Sequence, residues 1–68
     1  MAAIDVTGDV LQEAARLQMS RILSLTAGNP KGADRFLELM RQLALDAGVD
    51  PEVLEKRATD CVAVQFLS

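Results

Sequence analysis

"LALDAGVDPEVLEKRATD", residues 43–60, carries the strongest boundary signals in the chain. Gly48 follows an apolar-periodic segment and stops it, because glycine tolerates the left-handed conformation that closes a helix. Asp50 then supplies an N-cap, Pro51 the first helical position and Glu52 an acidic group in the first turn. The stretch therefore predicts one helix ending at residue 47, a tight Gly-Val-Asp-Pro turn, and a new helix from residue 51.

Upstream of that turn, Ala33, Phe36, Leu37, Met40, Leu43, Ala44 and Ala47 recur at i, i+3, i+4 and i+7, the spacing of one buried helix side. Asp34, Arg35, Glu38, Arg41, Gln42 and Asp46 lie outward; Leu39 widens the apolar side and Leu45 falls on the polar one. This second helix is expected over about residues 31–47. The connector ahead of it is "GNPKGAD", where Gly28, Pro30 and Gly32 all disfavour a continuous helix. Downstream, the third helix, about residues 51–66, turns Val53, Leu54, Ala58, Cys61 and Val62 inward. It ends in "VAVQFLS", an apolar tail that suggests docking on this domain or on another chain.

The first helix, about residues 8–27, starts after Thr7 with Asp9 in its first turn and stops at Gly28. Its polar side is only Glu13, Arg16, Ser20 and Ser24. Val10, Leu11, Ala14, Ala15, Leu17, Met19, Ile22, Leu23 and Leu25 wrap more of the circumference than the stripe of about 100° usual for a surface helix. Two partner helices cover such a helix poorly, so a third contact is implied.

These segments make the whole chain, residues 1–68, one all-α domain: a helical hairpin plus a third helix, expected to self-associate. With 68 residues the chain buries only roughly 60% of its unfolded surface. One cysteine and no histidine exclude an internal disulfide and a Cys/His zinc site, so association is the remaining aid to stability. Half the residues are hydrophobic but only Phe36 and Phe66 are aromatic, so the core must be aliphatic. The start "MAAIDVTGDV" lacks the pattern of a secretory signal, and no apolar run is long enough for a membrane span. A cytoplasmic setting is expected from this and from the lone thiol. The size and acidity would suit a phage-encoded or bacterial regulatory protein.

Over about 20 residues, "LALDAGVDPEVLEK" resembles the helix-turn-helix motif, with Ala44, Gly48, Val49 and Leu54 in the roles of small residue, turn glycine and apolar anchors. That resemblance implies a dimeric DNA-binding regulator using residues 43–60, with Lys56 and Arg57 as the DNA contacts. Against it, the start of the third helix presents Asp50, Glu52 and Glu55, and Arg57 stands where the motif wants an apolar anchor. Phosphate neutralisation supplies most affinity for DNA, and a chain of net charge −3 with its acidic bias after residue 48 is poorly suited to it. A short αα-corner is the commoner reading of the same residues. Nucleic acid is thus an unfavoured partner, and a membrane is not expected to be one.

Catalysis is not expected either. Histidine and tyrosine are absent, and Cys61 lies on a face with Leu54 and Ala58, flanked by Asp60 and Val62, where no activating base stands beside it. The acidic series Asp46, Asp50, Glu52 and Glu55 lacks the ligand spacing and central glycine of a calcium loop. "GNPKG" does not match a phosphate-binding loop, and Lys31 is at most a rim contact for an acidic partner. No catalytic residue, cofactor site, metal site or small-molecule substrate is indicated.

What remains is surface. Helix one is expected to contact a protein partner or another copy of the chain. Leu11, Ala15, Gln18, Ile22 and Leu25 form one flank; Val10, Ala14, Leu17 and Arg21 form the other; Phe66 and Leu67 add a second patch. Gln18 and Arg21 lie within the apolar face, where a dry core would penalise them and an interface would not. The expected function is that of a small non-enzymatic interaction module: a homo-oligomeric or assembly subunit, an adaptor, or an inhibitor of a larger protein.

Overall fold

A computed structural model describes residues 7–67, with side chains through Gln65. Three helices pack against one another: α1 (Gly8–Thr26), α2 (Pro30–Ala47) and α3 (Pro51–Leu67). No strand occurs among the described residues. The fold is the small all-α three-helix domain expected, with boundaries within a residue of those read from the sequence.

The caps explain why the chain turns where it does. Thr7 Oγ1 accepts the Val10 N–H at 3.3 Å and starts α1. At its end Gly28 takes φ +76°, the Gly28 N–H reaches the Leu25 carbonyl and the Asn29 N–H reaches the Ser24 carbonyl at 2.8 Å. The end of α2 repeats that pattern: Gly48 has φ +71°, its N–H bonds the Leu45 carbonyl, and the Val49 N–H bonds the Ala44 carbonyl at 2.9 Å. Both are glycine-closed Schellman ends that satisfy otherwise orphaned carbonyls. Asp50 Oδ1 then accepts the Glu52 N–H at 2.9 Å and restarts the chain as α3.

The α1/α2 connector is three residues long: Ala27, Gly28 and Asn29 separate the two helices, and Gly32 belongs to α2. Asn29 does both jobs: its backbone closes α1, while its Oδ1 accepts the Gly32 N–H at 3.1 Å and caps α2 behind Pro30. A three-residue turn forces α1 and α2 into an antiparallel hairpin.

Alanine dominates the core. Ala14, Met40, Ala44, Val49, Leu54 and Ala58 form the buried cluster, with Val10, Leu17, Leu43 and Ala47 partly buried against it. Ala15, Ala33 and Val62 are buried as well, so among the described residues only Met40 and Leu54 are large side chains with essentially no exposure. Small side chains let helices approach closely, but they remove little apolar area from water. On α3 the buried line is Leu54, Ala58 and Val62; Val53, expected inward, is exposed, and Cys61 is half-buried. One turn of helix separates each buried residue from the next, and Val53 precedes that line by about 100°.

Candidate protein-contact surface

The placement of α3 decides which parts of α1 remain open. Near the start of α3, Arg21 Nη1 donates to Glu55 Oε1 at 2.9 Å. Near its end, Val62 and Gln65 share a shallow groove with Gln12, Ala15, Arg16 and Met19 of α1. Both the early and the late part of α3 therefore meet α1. On α2, Leu37, Met40 and Arg41 adjoin Pro51, Glu52 and Glu55, which sets α3 on one side of the hairpin.

Most of the flank expected to face a partner is consumed by this packing. Ala14, Ala15 and Gln18 are buried inside the chain itself, and Leu11 is half-covered beside Cys61 and Val64. For Ala14, Ala15 and Gln18 the expected role as bare interface residues is corrected: α2 and α3 already occupy their surface. Gln18, only 6% exposed, sits in the interior that had seemed too costly for it. The cost is offset because Arg21 Nη1 donates to Gln18 Oε1 at 3.5 Å as well as to Glu55, so no buried side-chain polar atom among the described residues lacks a partner. Nothing in residue order pointed to this bridge, since Glu55 lies 34 positions from Arg21.

Ile22 (37% exposed) and Leu25 (52%) are the members of that flank that stay open. Leu23 is exposed on the outward side of the same turns. Val10 and Leu17, from the second flank, are half-buried at the edge of the core. The expected patch at Phe66 and Leu67 lies outside the described side chains.

The bridge between α1 and α3 has a measurable weight. With its two side chains 25% and 38% exposed, the Arg21–Glu55 pair contributes at most about 1 kcal/mol. Arg21→Met is expected to lower stability by about that amount, and added salt is expected to narrow the gap between variant and wild type. Denaturant unfolding at low and high salt checks this; a gap that does not respond to salt would mean the loss is one of packing alone.

Lys56 and Arg57 are exposed on the outer side of α3, where Arg57 borders a shallow groove with Asp60 and Cys61. Of the three acidic groups that oppose them, Asp50 serves as a cap and Glu55 is engaged with Arg21, while Glu52 is exposed. Among the described residues no cluster of side chains is arranged to hold a metal ion, and no helix is long and apolar enough to cross a membrane. No protein-family model, curated protein or solved structure matches the chain.

Proposed function

We propose that the chain acts without catalysis, as a small protein-protein interaction module, whether as assembly subunit, adaptor or inhibitor of a larger protein, through the apolar face of α1. The observation that carries this reading is the contrast between inside and outside. The interior is filled largely by alanine, while Ile22, Leu23, Leu25, Leu39, Leu45, Val53 and Val64 are exposed. A domain this small gains little from its own core, and contiguous apolar surface left in water marks contact sites. Toward the hairpin tip the exposed Ile22 and Leu25, three residues apart on α1, form such a patch.

The double variant Ile22→Glu/Leu25→Glu is expected to keep the helical circular-dichroism spectrum, since both side chains are largely outside the core, and to lose bound partners. Affinity capture from a lysate with wild type and variant side by side, read by mass spectrometry, checks this. Proteins retained equally by both would remove α1 as the contact face. The same preparation distinguishes the DNA-binding alternative. Duplex binding that weakens steeply with salt and disappears in Lys56→Ala/Arg57→Ala would favour that reading over this one.

A further inference from the structure

We propose that the chain's own residues 4–6, which lead into Thr7, occupy the groove between the first turns of α1 and the last turns of α3. Val6 seats on Leu11, and Ile4 lies against Cys61 and Val64. This goes beyond the interaction reading and concerns a different surface from the hairpin tip. The groove has a volume of about 410 Å³ and is lined by Leu11, Arg57, Asp60, Cys61, Val64 and Gln65. Leu11 and Cys61 are half-buried there, and Val64 is 67% exposed. A leucine, a thiol and a valine thus share a concave strip with charged groups beside it, the form of a seat for a short apolar segment.

The start of α1 selects the occupant. Thr7 is its N-cap: Oγ1 accepts the Val10 N–H, and the backbone there is extended, with φ −66° and ψ 156°. Counted from that cap, Val6 is the residue before it and Leu11 the fourth residue of the helix. An apolar pair at those two positions forms a hydrophobic staple, in which the incoming chain folds back over the first turn. Leu11 is also a wall of the groove, so the staple delivers the incoming chain to it. Ahead of Val6 stand Ile4 and Asp5. In an extended segment alternate side chains share a side, which turns Ile4 the same way as Val6 and Asp5 the other way. Two residues advance about 7 Å, which carries Ile4 from Leu11 toward the α3 wall at Cys61 and Val64. Asp5 then stands at the edge, where the charge of Arg57 attracts its carboxylate and that of Asp60 turns it away. Attachment through Thr7 also favours this occupant over an outside one, because a short tether gives effective concentrations on the order of mM.

Cys61 reports the occupancy, since it is the one cysteine in the chain and lines the groove. In Ile4→Ser/Val6→Ser its alkylation by N-ethylmaleimide is expected to be at least about fivefold faster than in wild type, less than two buried aliphatic side chains could supply. Helix content by circular dichroism is expected to stay the same, and both rates are taken relative to the chain unfolded in urea. Ile22→Glu/Leu25→Glu, at the other surface, is expected to leave the rate unchanged. Ile4→Cys is expected to form a disulfide with Cys61 inside one chain, with oxidised glutathione as oxidant. Mass spectrometry of the intact chain reads it as the loss of two hydrogens from a monomer, and urea is expected to suppress it, so loss of folding would abolish this signal instead of mimicking it. Equal alkylation rates in wild type and Ile4→Ser/Val6→Ser overturn the proposal and leave the groove open to an outside occupant. Failure of the Ile4→Cys disulfide to form, or its formation between two chains, also overturns it, the latter by making a second copy the occupant.

Discussion

Leu54→Ala is expected to leave the chain largely unfolded at room temperature and low concentration. Leu54 is fully buried, and with Met40 it fills the centre of an otherwise alanine-rich core among the described residues. Truncating a buried leucine costs about 2–5 kcal/mol, from lost transfer energy plus the cavity left behind. A domain of this length rarely has more than about 3–5 kcal/mol in total. The site also has little scope to collapse, because Ala14, Ala44 and Ala58 around it have no longer side chains to lean into the gap. Circular dichroism at fixed low concentration, where association adds little, reads the result. A cooperative melt near the wild-type Tm would show that the three helices are not organised around Leu54.

Ala44→Leu is expected to destabilise by about 1–3 kcal/mol, although it exchanges one apolar, strongly helix-forming residue for another. On propensity and hydrophobicity the change looks neutral or favourable. Its cost comes from space. Ala44 has no exposed surface and lies in the cluster with Ala14, Leu54 and Ala58, where the backbones of three helices draw close because the intervening side chains are single methyl groups. Three added carbons force α2 away from its neighbours or drive side chains off their rotamers. Leu45→Ala, one residue away and exposed, is the control and should stay within about 0.5 kcal/mol of wild type. Equal or higher stability for Ala44→Leu would mean that alanine does not set the helix spacing here.

Together these substitutions separate two roles of small side chains. Inside, they determine how near the helices come. Outside, they determine how much apolar surface is left over, since a core made of methyl groups cannot also hide Ile22, Leu25 and Leu39. The apolar side chains displaced from the interior are the ones available for contact.

The sequence by itself determined the helices and their ends. Those features depend on groups a few positions apart: Thr7 and Asn29 as caps, Pro30 and Pro51 at first turns, Gly28 and Gly48 in the left-handed conformation that closes a helix. Local hydrogen bonds mark them, whichever tertiary contacts then form. Gly32 sits in the first turn of α2 although glycine disfavours a helix, because the Asn29 side chain takes up its N–H.

Only the tertiary structure decided which apolar face is used. Helix one presents apolar residues over so much of its circumference that periodicity gives no preferred direction, and the position of α3 supplied one. By meeting α1 across Ala15, Gln18 and Arg21, α3 buried residues that had been expected at an interface and left Ile22 and Leu25 open at the tip. It also left the opposite side of the hairpin, with Leu39, uncovered. The Arg21–Glu55 bridge makes the distinction physical: each charge is ordinary on its own helix, and only a fold that brings residues 34 apart to 2.9 Å makes it affordable to bury Gln18 beside them.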